Sequence, residues 1–414
     1  MAKHPYISLY TGAGGLDLGL EAAGFHPAIC VEWDGDARRT LAANRPRWKL
    51  SEPGDIHALT PEALLAQAGL RPREARLVAG GPPCQPFSKS GQWANGTPDG
   101  LSDHRAKTID RFFDIVAHAL PDVFLLENVP LLAGRSGDAL RYIEAQLARV
   151  NRAQKTEYAF ALIGIRSEQY GVPQRRHRLF LVGSRDGRKL QPPATSFGSE
   201  PALPAPRTAW DAIGDLDTDR VPDELKPSGR WAELLASIPE GQNYEWHTRT
   251  GGGLDLFGHR TRFWSFLLKL AKDRPSWTVQ AEPGPATGPF HWRSRLLSIR
   301  ELCRLQTIPD DYEIIGDRRS AVRQIGNAVP SAIGELLGLE MRRQLLGESV
   351  VGAVSFVPSR RPGMPTPHAT ADVPERYLAL TASHADHPGP GLGPGAKRRN
   401  SANGGDRTHL PVTG

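Results

Sequence analysis

Residues 80–88 read Gly80-Gly81-Pro82-Pro83-Cys84-Gln85-Pro86-Phe87-Ser88 and follow a run from Ala75 to Ala79 that is apolar except for Arg76. The apolar run predicts a short buried strand. Two glycines free the backbone for unusual angles and two prolines fix the angles that follow, so the strand ends in a stiff turn. A thiol held by such a turn at the end of a strand suits reaction, although an isolated buried cysteine is more often inert.

The composition is that of an ordinary soluble globular protein, with 414 residues, 39% hydrophobic and 23% charged. Three cysteines provide no disulfide framework, which favours a reducing compartment. The sequence shows neither a signal-peptide pattern nor a long apolar span, so we expect a cytoplasmic protein with no membrane partner. The net charge of +6 mildly favours a polyanionic partner, but residues 351–414, with seven Lys or Arg and four Asp or Glu, carry half of it.

A glycine-rich turn follows the first predicted strand. The strand, Tyr6 to Tyr10, runs into Thr11-Gly12-Ala13-Gly14-Gly15 and then into a helical pattern that ends at Gly24. Strand, glycine turn and helix together bind nucleotide-like ligands at the first crossover of an open α/β sheet. The glycines admit a ligand to the backbone, and the start of the helix offers free N–H groups. A plain tight turn explains these glycines equally well.

Acidic residues follow the next two predicted strands. The second strand leads into Glu32-Trp33-Asp34, and Gly54-Asp55-Ile56 ends a third. An acid after the second strand is where such folds hold ribose hydroxyls, and the acid after the third can accept a hydrogen bond from an adenine amine. We therefore expect Glu32 and Asp55 to contact a ligand and Asp34 to cap a helix.

Two later strands carry charged residues that fit the same edge of a sheet. The predicted buried strand of residues 122–126, apolar after Asp122, ends at Glu127, where a carboxylate is costly unless it faces a cleft or a partner. Further on, Arg176 and Arg178 alternate into a strand of residues 179–183 and share one face, which suits recognition of phosphate or carbonyl oxygen. The structural alternatives are that Glu127 simply faces solvent and that Arg176 and Arg178 form a surface arginine cluster.

The amino-acid composition of the chain changes between about residue 185 and residue 298. Pro, Gly and aromatic residues increase and six of the nine tryptophans lie there, which predicts a separate, loop-rich domain. Within it, residues 288–295 (GPFHWRSR) mix aromatic rings with cations, a pattern that fits a nucleic-acid surface and an aromatic core equally well. Ser298 and Glu301 then predict a capped helix that packs Cys303.

The last part of the chain loses apolar periodicity. A helix is predicted from about residue 324 to residue 346. Residues 351–414 contain nine prolines and nine glycines, which predicts a disordered tail. We accordingly expect that deletion of residues 351–414 leaves activity intact.

Taken together, these segments resemble the DNA (cytosine-5)-methyltransferases over roughly residues 5–346. Pro-Cys-Gln, Glu-Asn-Val and Gln-Arg-Arg-x-Arg in this order make the resemblance specific. The matching motifs occur in the family's order: Tyr10 to Gly15, Glu32-Trp33-Asp34, Gly54-Asp55-Ile56, Pro82 to Ser88, Glu127-Asn128-Val129, Gln174 to Arg178, Arg300 to Gln306 and Gln324 to Pro330.

The resemblance implies an α/β fold, namely the Rossmann-like mixed sheet of S-adenosylmethionine-dependent methyltransferases with helices on both faces, plus a smaller loop-rich target-recognition domain. The catalytic and cofactor-binding domain would span residues 1–185 and the recognition domain residues 186–319. A C-terminal helix, residues 320–346, would return to the catalytic domain, and residues 347–414 would form the tail.

The family also implies S-adenosylmethionine as the methyl donor and no metal. Tyr10 would stack on the adenine, Glu32 would hold the ribose hydroxyls, and Asp55 and Ile56 would bound the adenine. The remaining expected cofactor residues are Gly12, Gly14, Gly15, Trp33, Pro83, Asn327 and Val329.

The chemistry explains the catalytic residue types. Cytosine C5 is a poor nucleophile, and addition of the Cys84 thiolate to C6 turns the ring into an enamine whose C5 can attack a methyl group. Glu127, with a raised pKa, would protonate or hydrogen-bond N3. Arg178 would hold the base carbonyl or Glu127, and Arg176 a flanking phosphate. The base that removes the C5 proton is not identified, and water is a candidate.

The target cytosine must leave the duplex to be reached, and residues 87–101 would close over it as a lid. We expect a monomer that acts on double-stranded DNA in a restriction-modification system. A cognate restriction endonuclease would act on the same sequence without a stable complex. The alternatives are a tRNA cytosine-5 methyltransferase, a catalytically inactive DNA-binding regulator and a nicotinamide-dependent oxidoreductase.

Overall fold

The structure, a computed structural model, describes residues 4–82, 107–128, 138–259 and 262–382. Pro83, Cys84 and the predicted lid lie outside the described residues. Among the helices within the described ranges, none is long and apolar enough to cross a membrane.

A mixed six-stranded sheet occupies the centre of the N-terminal half, in the order β2-β1-β3-β4-β7-β5. Strands β1 to β4 are parallel, and β7 runs antiparallel to both β4 and β5. A separate two-stranded sheet joins β6 to β8. The strands are β1 (Pro5–Leu9), β2 (His26–Val31), β3 (Leu77–Gly80), β4 (Val123–Asn128), β5 (Ala159–Arg166), β6 (Gln174–Arg175), β7 (His177–Ser184) and β8 (Ser276–Trp277).

Helices cover both faces of the sheet, as predicted. Side chains alternate along each strand, so that Val78 and Phe124 point to one face while Leu77 and Leu125 point to the other. The first face packs against α3, α4 and α5, and the second against α1 and α9. The helices are α1 (Gly15–Ala22), α2 (Gly35–Asn44), α3 (Pro61–Ala68), α4 (Lys107–Ala119), α5 (Asp138–Gln154), α6 (Ala209–Ile213), α7 (Ile299–Leu305), α8 (Arg318–Asn327) and α9 (Ser331–Gln344).

Two predicted helix starts are confirmed by their caps. The Asp34 carboxylate accepts hydrogen bonds from the first backbone N–H groups of α2. Ser298 and Glu301 form a reciprocal capping box at the start of α7, and Cys303 within that helix is buried. Local hydrogen bonding decides these positions, which explains why the sequence was sufficient to find them.

Residues 186–297 belong to the segment for which a recognition role is predicted, and we call them the recognition region; they contain short 3₁₀ turns and little regular structure. Aromatic side chains build its core, in which Leu234, Tyr244, Phe257 and Phe290 pack together. Residues 288–295 contribute to the protein interior and do not form a nucleic-acid surface, because Phe290 and Trp292 are each 1% exposed.

Two element predictions need correction. The predicted third strand is reduced to a single bridge between Cys30 and Leu50, and residues Ile56–Ala58 form a 3₁₀ turn. The predicted last helix is two helices, α8 and α9, which are separated at residues 328–330 because Pro330 has no N–H to continue α8. The domain boundary at residue 319 stays a prediction; on its N-terminal side, Tyr312 donates a hydrogen bond to the Ala13 carbonyl of the glycine turn.

The prediction of a disordered tail is wrong for residues 347–382. This segment runs along the body of the protein, and Val354, Phe356 and Val357 pack against the sheet-and-helix core. An extended chain held by isolated anchor residues has neither helical nor strand periodicity, so its sequence resembles that of a disordered segment. Residues 383–414 lie outside the described residues.

Candidate active site

The site is built at the carboxyl edge of β3 and β4. These neighbouring parallel strands place Gly80 beside Leu126, so the next residues of both strands also lie side by side. A Cβ atom built on Gly81 would lie 3.1 Å from Oε2 of Glu127. The backbone that leads toward Cys84 therefore passes directly beside the Glu127 carboxylate, at a distance that a side chain at position 81 would crowd.

Arg178 completes this edge from the antiparallel strand. Because β7 runs opposite to β4, its first residues lie beside the last residues of β4, and Glu127 pairs with Phe180. The Nε atom of Arg178 lies 3.1 Å from Oε1 of Glu127. Both side chains are mostly buried, with 19% of Arg178 and 13% of Glu127 exposed. The predicted partnership between these two residues is present in the structure.

Opposing effects determine the protonation of Glu127. Burial raises the pKa of its carboxyl group, while the charges of Arg178 and Arg176 lower it. Burial is the larger effect, so the net pKa lies above the ordinary value for glutamate. A carboxyl group in this state can donate a proton or a hydrogen bond near neutral pH more readily than an exposed one.

Arg176 has a different environment from the one predicted. Its side chain is 2% exposed and donates hydrogen bonds to the carbonyl oxygens of Gly326, at 2.9 Å, and Val279, at 3.4 Å. A guanidinium so enclosed does not fit the predicted contact with a flanking phosphate. It lies close enough to Glu127 to affect that carboxyl group, and it joins the start of β7 to the end of α8.

Glu32 lies at the end of β2 and holds two loops together. One carboxylate oxygen accepts the backbone N–H of Gly12 at 2.7 Å, and the other accepts that of Asp34 at 2.8 Å. Burial raises the pKa of Glu32, and these two backbone hydrogen bonds lower it. The carboxylate is 6% exposed. Gly12 itself has a left-handed backbone, with φ of +58°, and a Cβ built there meets open space among the described residues.

Tyr10 and Asp55 lie near each other, as the cofactor prediction requires. Burial is the main cause of the raised pKa of the Tyr10 hydroxyl, and the Asp55 charge raises it further. The hydroxyl donates to the Thr108 carbonyl at 2.6 Å. Asp55 is exposed and accepts the backbone N–H of His57, so it caps the 3₁₀ turn in addition to lying at this edge. Ile56 is buried in the core below.

The motif near the end of α8 packs against the glycine turn, as predicted. A Cβ built on Gly15 would lie 2.5 Å from the Val329 carbonyl oxygen, so only glycine permits this approach. Gly14 has φ of +78° and faces the hydroxyl of Tyr312. Asn327 is exposed, and Trp33 is 80% exposed, so both side chains are accessible from solvent.

Several residues that organise the site are not among the predicted site residues. Gln174 is fully buried and donates to the Gln306 side chain at 2.9 Å, while its own oxygen accepts the Val279 N–H. Gln306 in turn donates to the carbonyl oxygen of Ile325. Both glutamines lie within recognised motifs, but a buried amide network between distant segments has no signal in a single sequence.

Comparison with known proteins agrees with this geometry. The family model described as C-5 cytosine-specific DNA methylase matches residues 5–343. The chain belongs to this family. Membership confirms the predicted family and identifies the reaction as methylation of cytosine C5 in DNA. The members of this family are S-adenosylmethionine-dependent methyltransferases.

Similar proteins include two Type II methyltransferases. The Type II methyltransferase M.SacI of Streptomyces achromogenes is 36% identical, with 82% of this chain and 93% of that protein covered. M.PspPI of Psychrobacter sp. is 31% identical over 83% of this chain and 80% of its own length. One similar solved structure is that of a DNA modification methyltransferase encoded within a prophage (E. coli), with a TM-score of 0.58 and 22% identity. The match covers 84% of this chain and all of the other chain, and it shows the shared fold.

Proposed function

We propose that this DNA methylase modifies a flipped-out cytosine within a specific short duplex sequence, through a covalent bond between Cys84 and C6, with S-adenosylmethionine as the methyl donor. The observation that carries the proposal is the buried Glu127–Arg178 pair beside Gly81, on the strand that leads to Cys84. A protonatable carboxyl group at this position is what activation of the cytosine ring needs.

The described residues fit the proposed cofactor. Each oxygen of Glu32 accepts one backbone N–H and keeps a further lone pair, which suits the hydroxyl donors of a ribose. Tyr10 offers an aromatic ring, the exposed Asp55 an acceptor, and Gly12 a backbone that a ligand can approach. S-adenosylmethionine bound here would supply an electrophilic methyl group on its sulfonium. Gly14, Gly15 and Val329 would shape the cofactor side of the glycine turn.

The residues of the chain would share the reaction as follows. The Cys84 thiolate adds to C6 of cytosine, and Glu127 donates to N3, so that the electron pair reaches C5. Arg178 orients Glu127 and stabilises charge on the base. Arg176 would act as a positioning residue, since its donors are bound to backbone carbonyls. After methylation, N3 returns its proton to Glu127, a base removes the C5 proton, and Cys84 leaves with the C6–S bonding pair, which restores the aromatic ring.

A cluster that adjoins the site residues in sequence supports contact with DNA. The exposed Arg175 guanidinium lies over the Trp277 ring at 4.9 Å, and Trp277 packs edge-on against Trp264, which is 42% exposed. Cations interleaved with exposed aromatic rings suit the backbone and bases of nucleic acids. Arg175 is close in sequence to Arg176 and Arg178, so we expect the cluster to contact the strand that carries the target cytosine.

The relatives named Type II methyltransferases support a role in a restriction-modification system, in which methylation protects a short sequence from cleavage. Under this proposal the protein acts on double-stranded DNA. The monomeric state, the cytoplasmic location and the companion endonuclease remain predictions.

Bisulfite sequencing of mixed-sequence duplex DNA, incubated with the protein and S-adenosylmethionine, tests the proposal. We expect methylation at one short motif, lost in Cys84→Ala and retained in Cys303→Ala, which removes a buried helical thiol. Unmodified DNA with a protein that binds the cofactor would contradict the proposal, and tRNA would then be tested as substrate.

A further inference from the structure

The chain after α9 is bound by three buried carboxylates. We call residues 350–382 the C-terminal strap. Glu335 of α9, Asp211 of α6 and Glu240 of the recognition region have side chains that are about 4%, 3% and 4% exposed. Each accepts at least one backbone N–H from the strap, so three separate elements hold the same segment.

The first anchor belongs to the catalytic core. Oε2 of Glu335 accepts the backbone N–H groups of Ser355, at 2.7 Å, and Phe356, at 3.2 Å. The next residue, Val357, lies so close to Gly171 that a Cβ built on Gly171 would be 2.6 Å from it. The start of the strap is therefore fitted to the catalytic core and does not merely lie on its surface.

The next two anchors belong to the recognition region. Asp211 accepts the N–H of Arg361 at 2.9 Å and pairs with the Arg360 guanidinium at 3.0 Å. Glu240 accepts the N–H of His368 at 3.0 Å and forms a buried ion pair with Lys272. Removal of the strap would leave both carboxylates without these donors, which is unfavourable in a buried position.

The end of the strap enters the aromatic core of the recognition region. Tyr377 is 3% exposed and stacks on Trp231, with ring centroids 5.9 Å apart and planes 12° apart. Its hydroxyl donates to the Arg230 carbonyl at 2.7 Å. Val373 and Leu380 pack against the same core. One segment thus ties the catalytic core at Glu335 to the interior of the recognition region at Tyr377.

We propose that the strap positions the recognition region against the catalytic domain and thereby supports binding of the target DNA. The inference rests on the proposed function of residues 186–297 as the DNA-reading part. The strap touches neither Glu32 nor the Glu127–Arg178 pair in the contacts described, so its effect is expected on DNA and not on the cofactor. This replaces the sequence-based expectation that residues 351–414 are dispensable.

Two truncations of the full chain test the proposal. A chain that ends at Leu346 lacks the strap, whereas a control that ends at Ala382 keeps it and lacks only the residues beyond. We expect the first truncation to raise KM for DNA by about tenfold or more while the Kd for S-adenosylmethionine changes by less than about twofold. The control should match the full chain. An unchanged KM for DNA in the chain that ends at Leu346 would overturn the proposal.

Point variants decide the question if the shorter truncation does not fold. Tyr377→Ala removes the ring, whereas Tyr377→Phe keeps the stacking on Trp231, and Glu335→Ala removes an acceptor that Glu335→Gln retains. We expect each alanine variant to raise KM for DNA by about threefold or more with kcat little changed, and its conservative partner to restore the value. Equal behaviour of alanine and conservative variants would contradict a positioning role.

Hydrogen exchange separates this inference from the proposed function, because it needs no substrate. Amides of residues 234–257 should exchange faster in Tyr377→Ala than in Tyr377→Phe. If the full chain never methylates DNA, the proposed function fails while this comparison still tests the strap. Identical exchange in the two variants would show that the strap does not hold the recognition region.

Discussion

Glu127 shows how one residue acquires its chemistry from its surroundings. The apolar strand β4 buries the carboxyl group, and Arg178 supplies a compensating charge at 3.1 Å. Because burial outweighs the two nearby guanidinium groups, the pKa is raised. A raised pKa means that the protonated form persists to a higher pH than it would in free glutamate. The proton that the proposed mechanism uses is thus present below this pKa and lost above it.

We predict that kcat falls as pH rises through the pKa of Glu127. Glu127→Gln cannot lose a proton in this range, so the falling limb of its pH profile should disappear, and its kcat should drop by about 10²-fold or more. Single-turnover rates measured across pH for the wild type and Glu127→Gln would check this. A falling limb that survives in Glu127→Gln would assign it to another group.

Gly15 shows how the packing of helix α1 against residues 328–330 requires a glycine. We predict that Gly15→Ala destabilises the protein by about 1–3 kcal/mol and weakens S-adenosylmethionine binding, because the new Cβ would meet the Val329 carbonyl oxygen at 2.5 Å. Gly35→Ala is the matched control. Gly35 is also the first residue of a helix, but a Cβ there has its nearest neighbour, Arg39, at 4.0 Å.

Urea unfolding with and without S-adenosylmethionine would measure both effects. Gly35→Ala should be neutral or stabilise by a few tenths up to about 1 kcal/mol, since alanine favours the helix. If the two variants unfold alike, the close packing between α1 and residues 328–330 does not contribute as inferred.

Individual helices and strands show why some elements were predictable from the sequence. Helix α7 was predictable, because Ser298 and Glu301 have the spacing of a capping box and local hydrogen bonds decide where such a helix starts. The prediction of a third strand was wrong. Whether a short segment forms a strand depends on pairing with a neighbouring strand, and here only Leu50 makes a bridge, to Cys30. The surroundings of Arg176 were not predictable either, because alternation shows which face a side chain takes but not what covers that face.

At the scale of the whole molecule, the family motifs were sufficient to predict the sheet, the helices on both faces and the Glu127–Arg178 pair. The strap was not predictable, because all three carboxylate anchors accept its backbone N–H groups, and only Asp211 also binds a strap side chain in the contacts described above, that of Arg360. Backbone recognition leaves almost no trace in the sequence of the segment that is recognised.

The cluster of Arg175, Trp277 and Trp264 gives a prediction about the whole complex. We expect Arg175→Ala to weaken DNA binding and to reduce the slope of log affinity against log salt by about one, because one phosphate contact is lost. Arg71→Ala is the control, since its side chain is 85% exposed and lies outside this cluster. Binding titrations with duplex DNA at several salt concentrations would measure the slopes.

A salt slope unchanged by Arg175→Ala would place the phosphate contacts elsewhere.

Trp264→Ala should weaken binding by about 1–3 kcal/mol if a base or sugar packs on its ring. Its salt slope should stay the same, because the substitution removes no charge.

The strap also determines which part of this enzyme can be exchanged with a relative. A chimera that replaces only residues 186–297 would join a foreign aromatic core to a Tyr377 shaped for Trp231. The modular unit is discontinuous, consisting of residues 186–297 together with residues 358–382. Designers who wish to transplant target specificity would move both pieces and retain Glu335 with Ser355 and Phe356 as the fixed junction.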